Sequence, residues 1–543
     1  MANALKSINS MNINGTPQSK QAHPLQSKNR AGGYVFKTED VDRLKRFLVL
    51  GTEGGTMYAS ETELSQENAQ CVFRLAETNH DLLVDTIVDV SLRGAAYRQD
   101  ATLFSLAVAA SVGTDDEKRN ALSRLPEVAR TGTMLFKFTE YVQQFRGWGR
   151  ALRRGVANWY LSPEVDKLAY QAVKYRQRDG WTHRDLLRLS HPVSDEPSRR
   201  DLFKWITSGD VGENVPPLVN TFKELQSATD VSEVVSVMER DPNVSWEMIP
   251  DSFLKEPQVW EQMINKGMPM TALIRQLPRF TNLGIITGAT KKKILSQLGD
   301  EEYLRKSRIH PMQVLVALRT YESGRSMRGS SYWTPDSDIV EALDKAFYKT
   351  FTNVKPTGKR LLVALDVSGS MCCEVGFTGL TAIEASIAMA MIYAKTEENV
   401  DFVVFTSKTS KNGSYWGRGD DEIRLVNEFR NVNTLGEALE LSNGFPFGGT
   451  DCALPFEYAY TNRKMYDAVI VLTDNETWAG YQHPYQAAER YRQRYGLDTK
   501  FVVIGMTASD SNIVNPEDTN GLAVVGFDPG VVDAIGQFIR GDV

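Results

Sequence analysis

The sequence predicts a two-part protein, in which an α-helical array is followed by a doubly wound α/β domain. From about Tyr34 to Tyr348, short amphipathic segments follow one another, and few segments have the pattern of a strand. From Pro356 onward, apolar β-branched segments alternate with helical ones. The chain has 543 residues, of which 42% are hydrophobic and 24% charged, so most of it is expected to fold around buried cores.

Residues 1–30 are rich in Ser, Asn, Gln and Lys and have few large apolar side chains, which predicts a flexible tail. They contain no apolar signal core, and no stretch of the chain approaches the ~18 uninterrupted apolar residues of a membrane helix. We therefore expect a cytoplasmic protein without a membrane partner. The four cysteines show no Cys-x-x-Cys spacing, which argues against zinc and redox chemistry.

Residues 31–355 are predicted to form paired helices stacked in series. The segment TEDVDRLKRFLVLG offers Thr38 as an N-cap, apolar residues at helical spacing and Gly51 as a stop. Similar units follow at SETELSQENAQCVFRLAE, DLLVDTIVDVSLRG, DATLFSLAVAAS, EKRNALSRLPEVAR and PEVDKLAYQAVKYRQR. Because no strict tetratricopeptide or ankyrin period is present, the array would be an α-solenoid of the degenerate HEAT type. An ordinary multi-helix bundle is the alternative.

Residues 356–543 are predicted to form a mostly parallel sheet covered by helices on both faces. Buried strands are expected at 361–367, 400–407, 467–474, 499–506 and 523–527. Helices are expected at 381–398, near 435–441, 451–461 and 485–494, and from about Gly530. Such sheets place ligands at the carboxyl ends of their strands, where the strand order reverses.

Net charge differs between the two parts of the chain. The whole carries 62 basic and 68 acidic residues, which alone argues against a simple nucleic-acid binder. From Pro356 onward there are 15 basic and 25 acidic residues, whereas residues 1–355 carry 47 and 43. Residues 146–188 contain ten basic but only four acidic residues. A local excess of this kind can neutralise phosphates, although a solvated helix face is the simpler explanation of most charge runs.

Five oxygen-bearing side chains are expected at one edge of the sheet. Asp366, Ser368 and Ser370 follow the first strand in DVSGSM, Thr450 lies in FGGTDCALP, and Asp474 ends the strand DAVIVLTD. Carboxylates and hydroxyls suit a hard divalent cation such as Mg²⁺. A Ser/Asp turn without metal is the alternative.

This pattern resembles the metal-ion-dependent adhesion site of von Willebrand factor type A domains, which is Asp-x-Ser-x-Ser with a distant Thr and a distant Asp. By that resemblance Ser368, Ser370 and Thr450 would offer hydroxyls, while Asp366 and Asp474 would bind the ion directly or through water. The family leaves one coordination position open for an acidic group of a partner.

The basic segment is interleaved with aromatic residues. GWGRALRRGVANWY and AVKYRQRDGWTHRDLLRLSH place cations among tryptophans and tyrosines. If one helix continued through both positions, Lys174 and Arg178 would share a face at i and i+4. Such cations can follow a phosphate backbone, and exposed aromatic rings can stack on unpaired bases. For most of the aromatic residues we expect burial in the solenoid core instead.

Together, GWGRALRR, KYRQRDGWTHRDLLRLSH, DVSGSM, GGTDCALP and LTDNETWAG resemble the Ro autoantigen family of TROVE-module ribonucleoproteins, over roughly residues 30–543. The resemblance implies a HEAT-like ring closed by the type A domain. It also implies Y RNA binding on a basic outer surface and entry of single-stranded 3′ ends of misfolded RNAs into the central hole. The implied outer contacts are Lys174, Arg178 and His191. Charge adds Arg150, Arg153, Arg154 and Arg184.

We therefore expect a non-enzymatic RNA-binding scaffold for noncoding RNA quality control, with a Mg²⁺-binding domain for an acidic protein ligand. In a bacterial setting, the family suggests cooperation with a 3′ exonuclease. One alternative is a metal-dependent protein-interaction adaptor, whose helical array binds protein. A metal-dependent hydrolase or nuclease using Asp366 and Asp474 ranks last, because neutral hydroxyls without a nearby base are better suited to holding a ligand than to activating water.

Overall fold

The computed structural model describes residues 15–51, 61–96, 98–326, 330–351, 354–375, 380–409, 418–442, 448–526 and 529–542. These residues form two compact units. The α/β unit comprises the described residues up to Asn68, His310–Arg319 and those from Phe347 onward. The helical unit comprises Ala69–Ile309 and Thr320–Ala346.

The strands of the described residues lie mainly in the α/β unit. They are β1 (Gln26–Lys28), β2 (Tyr34–Lys37), β3 (Gln177–Arg178), β4 (Trp181–Thr182), β5 (Leu361–Asp366), β6 (Val400–Thr409), β7 (Arg418–Leu425), β8 (Ala468–Thr473), β9 (Lys500–Gly505), β10 (Ser511–Asn512) and β11 (Gly521–Val525).

Helices before residue 350 are α1 (Asp40–Leu50), α2 (Glu61–Thr78), α3 (His80–Arg93), α4 (Asp100–Ala109), α5 (Asp115–Ser123), α6 (Leu125–Val128), α7 (Gly132–Phe145), α8 (Arg150–Leu161), α9 (Val165–Lys174), α10 (His183–Ser190), α11 (Pro197–Ser208), α12 (Pro217–Ser227), α13 (Val231–Arg240), α14 (Pro257–Asn265), α15 (Met270–Asn282), α16 (Gly288–Gly299), α17 (Glu301–Ser307), α18 (Pro311–Glu322) and α19 (Ser337–Lys349). Later helices are α20 (Ala382–Thr396), α21 (Leu435–Ser442), α22 (Leu454–Thr461), α23 (Pro484–Tyr495) and α24 (Pro529–Arg540). Short 3₁₀ turns occur at Trp246–Met248, Phe253–Lys255, Gly369–Cys372 and Asn427–Arg430.

The main sheet has six strands in the order β11-β9-β8-β5-β6-β7. All neighbouring pairs are parallel except β6 and β7. The chain moves outward from β5 to β6 and β7, and then returns to the other side of β5 with β8, so the strand order reverses between β5 and β8. This is the predicted doubly wound α/β fold. The antiparallel edge strand β7 was not predicted, because its sequence RGDDEIRL is polar.

The predicted apolar strands form the centre of the core. Every residue of β5 and β8 is buried, as their uninterrupted LLVALD and AVIVLT sequences require when both faces are covered. On one face, side chains of the central strands pack with apolar residues of α22 and α23. On the other, α20 packs against β5, β6 and β8. The packed core therefore fixes the positions of the strand ends, and the loops that carry the site residues begin at these ends.

The prediction of a flexible tail over residues 1–30 is wrong for the part that the structure describes, which starts at Gly15. Strand β1 pairs antiparallel with β2, and β2 pairs in turn with β10. Gln18 is fully buried, and Gln26 is 6% exposed. The polar side chains that suggested a tail find hydrogen-bond partners on distant segments of the α/β unit, which the local composition cannot show.

The predicted helical array is confirmed, and contacts run mainly between helices that are close in sequence, as in a solenoid. Helix α1 begins at Asp40 with Glu39 as its N-cap, one residue later than Thr38 would place it, and ends at Gly51. The unit predicted at 117–130 is two helices, because Arg124 ends α5 and Pro126 occupies the start of α6. Among the described residues, no helix is long and apolar enough to span a membrane.

The continuous helix through Lys174 and Arg178 is not formed. Helix α9 ends at Lys174, and Arg178 lies in a short hairpin of β3 and β4. Asp179 and Gly180 connect the strands with φ angles of 51° and 77°. An Asp-Gly turn with two left-handed residues is a preferred two-residue hairpin connection, so the sequence did contain the signal.

Candidate RNA-binding surface and metal site

The structure brings the five predicted metal ligands together at the carboxyl edge of the sheet, where the strand order reverses. Asp366 ends β5, Ser368 and Ser370 occupy the following loop, and Asp474 follows β8 directly. Thr450 Oγ1 donates a 2.9 Å hydrogen bond to Ser368 Oγ, which lies 3.2 Å from Ser370 Oγ. None of the five residues is more than 2% exposed. Loops 82 positions apart in sequence, from Ser368 to Thr450, thus form one buried oxygen cluster.

No basic side chain of the described residues balances the charge of this cluster. Asp366 accepts hydrogen bonds from the Ser368 amide (2.9 Å) and the Thr473 hydroxyl (2.7 Å). Burial and the neighbouring Asp474 nevertheless raise the pKa of Asp366 to about 7, and burial raises the pKa of Asp474. Two buried carboxylates with neutral hydroxyl neighbours are a donor set that fits a hard divalent cation.

Three residues beside Asp474 were not singled out from the sequence. Asn475 has a φ of 68°, and both polar atoms of its buried side chain lack a partner among the described residues. Glu476 is 3% exposed and accepts a 3.0 Å hydrogen bond from Ser511 Oγ. Burial and Asp474 raise the pKa of Glu476 to about 7. Thr473 bonds to Asp366. The polar run directly after a buried strand, LTDNET, is the signal that indicates them.

Three of the predicted RNA-contacting arginines lie on one end of α8. Arg150, Arg153 and Arg154 are exposed at helical spacing on its first turns. No acidic residue occurs in α8, and no described acidic side chain pairs with these three. Cations near a helix N-terminus oppose the helix dipole, so this arrangement does not serve helix stability. It leaves an unneutralised positive surface.

The hairpin and α10 extend this surface. Trp148, just before α8, packs against Trp181 of β4 with ring centroids 5.8 Å apart. Arg178 in the hairpin keeps 65% of its side chain exposed, with Asp179 3.9 Å away. Arg184 is exposed in the first turn of α10, and His191 is exposed at the residue that ends this helix. We call these residues, with the three arginines of α8, the cationic surface.

Lys174 is placed differently from the other predicted contacts. Its side chain is only 14% exposed, and Nζ lies 3.6 Å from Glu247 Oε1. The ammonium also lies over the rings of Tyr170 and Tyr175. Burial opposes the charge, but these neighbours raise the pKa of Lys174 above its ordinary value. Lys174 is therefore a largely buried, paired cation, unlike the exposed arginines of α8.

Lys174 lines a cavity of about 850 Å³ within the helical unit. The cavity wall combines aromatic, basic and acidic side chains, namely Trp159, Tyr170 and Trp246; Arg130, Lys167, Lys174 and Lys266; and Asp166, Asp241 and Glu247. Burial lowers the pKa of Arg130, and the nearby Arg308 lowers it further. This cavity was not located from the sequence, because its walls come from segments about 150 residues apart.

Comparisons with known proteins agree with this architecture. The family model "Ro60 vWA domain" matches residues 360–539, and the model "TROVE domain" matches residues 27–208 and 211–319. The chain is 35% identical over 551 residues to "RNA-binding protein RO60" of Deinococcus radiodurans, with full coverage of both. It is 31% identical over 598 residues to "RNA-binding protein RO60" of Caenorhabditis elegans, with 95% of this chain and 90% of that protein covered.

A solved structure is also similar. The crystal structure of the Deinococcus radiodurans Ro (RSR) protein matches with a TM-score of 0.68 and 35% identity, covering 93% of this chain and all of that one. The chain is thus a TROVE-module protein with a von Willebrand factor type A domain, as the helical array, the doubly wound sheet and the oxygen cluster indicate. The chain belongs to the Ro60 family. Its relatives bear the names of RNA-binding proteins, not of enzymes, and RNA binding is the function that the family supports.

Proposed function

We propose that the cationic surface binds structured noncoding RNAs of the Y RNA type, and that the protein acts as a scaffold in noncoding RNA quality control. The exposed guanidinium groups on the first turns of α8, which have no acidic partner among the described residues, carry this proposal. Their positive charge is unfavourable beside the positive end of the helix dipole, and RNA phosphates are the anions that would neutralise it. The half-buried Trp148 and Trp181 beside them offer ring surface for an unstacked base.

The cavity supports a second RNA contact, with a single-stranded 3′ end. It offers the half-buried Tyr170 and Trp246 for base stacking and Arg130 and Lys167 for the backbone, the combination found in single-strand binding channels. Because Lys174 lines the cavity, we assign it to this second contact. A 3′ exonuclease in the cytoplasm is the partner enzyme that the family resemblance suggests for an RNA held in this way.

The oxygen cluster is proposed to hold Mg²⁺. Asp366 and Asp474 would balance its charge, and Ser368, Ser370 and Thr450 would supply hydroxyl oxygens. The bound ion would present a positive charge to an acidic group of a protein partner. Three of the five donors are neutral hydroxyls, which suit a site that captures a ligand better than one that activates water.

Binding assays with two RNA designs test the RNA proposal. A Y-like hairpin with a blunt end and the same hairpin with a single-stranded 3′ extension would be titrated against the full chain by fluorescence anisotropy. We expect the extension to increase affinity, and Arg130→Ala to remove that increase while leaving the blunt hairpin unaffected. Arg93→Ala, which removes an exposed cation paired with Asp89, is the matched control. Absence of binding to either RNA would refute the proposal.

If the protein is instead a protein-interaction adaptor, different molecules should copurify with it. An RNA-binding scaffold purified under low salt should carry nucleic acid, with a high ratio of absorbance at 260 nm to that at 280 nm, and sequencing would identify the bound RNA. An adaptor should be free of nucleic acid and retain a protein partner in a Mg²⁺-dependent manner. Loss of that partner in Asp474→Asn would then favour the adaptor.

A further inference from the structure

The N-terminal segment of residues 15–33 crosses the metal edge of the sheet and contacts the loops that carry Thr450 and Asp474. We propose that Gln18 is a positioning residue for the divalent cation site, and that the site is organised only when this segment is docked. The inference rests on the proposed metal site. The inference goes beyond the proposed metal site, because it assigns a role in metal binding to a residue 348 positions before the first ligand.

Gln18 uses its whole amide on two metal-site loops. Its Nε2 donates to Asp451 Oδ1 (2.7 Å) and to the Gln482 carbonyl (2.9 Å), and its Oε1 accepts from Thr477 Oγ1 (2.5 Å). The Gln18 backbone amide also donates to the Gly480 carbonyl at 2.9 Å. The residue is fully buried, so no water competes for these bonds.

These bonds reach the metal ligands indirectly, through Asp451 beside Thr450 and through Thr477 three residues after Asp474. Asp451 directly follows Thr450, and the Thr450 carbonyl accepts hydrogen bonds from the amides of Trp478 and Ala479, both at 3.0 Å. Thr477 Oγ1 accepts from the Cys452 amide at 3.1 Å. Gln18 therefore joins the loop after β8, which starts at the ligand Asp474, to the loop that aims the Thr450 hydroxyl at Ser368.

Two glycines allow the segment to lie this close. A Cβ on Gly480 would be 2.3 Å from Gln18 Nε2 and 2.4 Å from Asp451 Oδ1. A Cβ on Gly33 would be 2.1 Å from the Thr477 carbonyl oxygen. Asn29 strengthens the docking by donating from Nδ2 to the same carbonyl at 2.9 Å. Any side chain at either glycine would separate the segment from the metal loops.

The expected size of the effect follows from the behaviour of residues that orient metal ligands. Removing such a partner typically lowers metal affinity by 10- to 100-fold, roughly. In Gln18→Met the side chain keeps its approximate length but loses its hydrogen bonds, so Asp451 and Thr477 each lose one partner in a dry environment. We expect divalent cations to bind about tenfold more weakly to this variant.

The experiment measures Mn²⁺ binding to the full chain by electron paramagnetic resonance, with Mg²⁺ as competitor, at a temperature where every variant is folded. Wild type would be compared with Gln18→Met, with Asp474→Asn as the site knock-out and with Gln21→Ala as the matched control. Gln21 is an exposed glutamine of the same segment, and its amide donates to carbonyls of residues 23–26. Thermal melts in excess chelator would report the structural contribution of Gln18 separately.

Weaker binding in Gln18→Met with unchanged binding in Gln21→Ala would support the inference. Wild-type affinity in Gln18→Met, together with a lower melting temperature, would overturn it and assign Gln18 a purely structural role. If wild type and Asp474→Asn bind Mn²⁺ equally, the metal proposal itself fails. Should Gln18→Met not fold, Gly480→Ala separates the same groups, and wild-type affinity in that variant would equally overturn the inference.

Discussion

Removal of two arginines from α8 should flatten the salt dependence of RNA binding. Arg153 and Arg154 are exposed, belong to a helix without acidic residues and have no described acidic partner. Each lost phosphate contact reduces the slope of log affinity against log salt by about one, so Arg153→Ala with Arg154→Ala should reduce it by about two. When the salt concentration rises from about 50 to 200 mM, the ratio of the wild-type to the variant association constant should therefore fall roughly 15-fold.

A loss of folding stability should not be the cause of the reduced salt dependence. Substitutions at exposed positions usually alter the free energy of unfolding by less than about 0.5 kcal/mol. Loss of two cations from the first turns of a helix also relieves their repulsion with its dipole. Urea unfolding curves of the double variant should thus overlay those of wild type.

The assay is a fluorescence titration of a Y-like hairpin RNA at several salt concentrations. The matched control is Lys306→Ala with Lys345→Ala, which removes the same charge from exposed helical positions of the same unit. Both lysines are paired with acidic residues four positions earlier. The control should keep the wild-type slope. Equal slopes for all three proteins would refute the assignment of the α8 arginines to phosphate contacts.

Three further predictions concern buried or paired groups. Burial lowers the pKa of His183 to about 4, whereas in the unfolded chain it is about 6.5. The unfolded state therefore binds the proton first, and up to roughly 3 kcal/mol of stability should be lost as the pH falls from 6.5 to 4; urea melts that do not change over this range would contradict it. Lys174→Ala should lower the melting temperature by leaving Glu247 unpaired, whereas Arg178→Ala should weaken RNA binding without changing the melt. Addition of Mg²⁺ should raise the melting temperature of wild type but not of Asp474→Asn.

Most of the α/β unit could be predicted because its signals are local. Uninterrupted apolar runs marked β5 and β8, and the ligands follow those strands in DVSGSM and at Asp474. Thr450 needed the spacing of a known pattern, since nothing near it in sequence points to the strand ends. The edge strand β7 gave no signal, because its polar sequence RGDDEIRL has no apolar periodicity.

The remaining errors come from contacts between distant segments. The polar composition that suggested a tail contains Gln18 and Gln26, which are buried because their amides bond to residues more than 400 positions away. The pairing of Lys174 could not be predicted either, since its partner Glu247 lies 73 positions later. The position of Arg178 has a local cause, because the Asp-Gly turn that follows it ends the helical pattern.

Ultraviolet crosslinking of copurified RNA to the full chain, followed by mass spectrometry of the crosslinked peptides, tests the central claim most directly. The claim is that the helical unit holds the RNA and that the type A domain presents a cation. It predicts crosslinks within residues 146–191, at Trp148, Trp181 or their neighbours, and at the cavity aromatics. Crosslinks confined to residues 360–539 would contradict it.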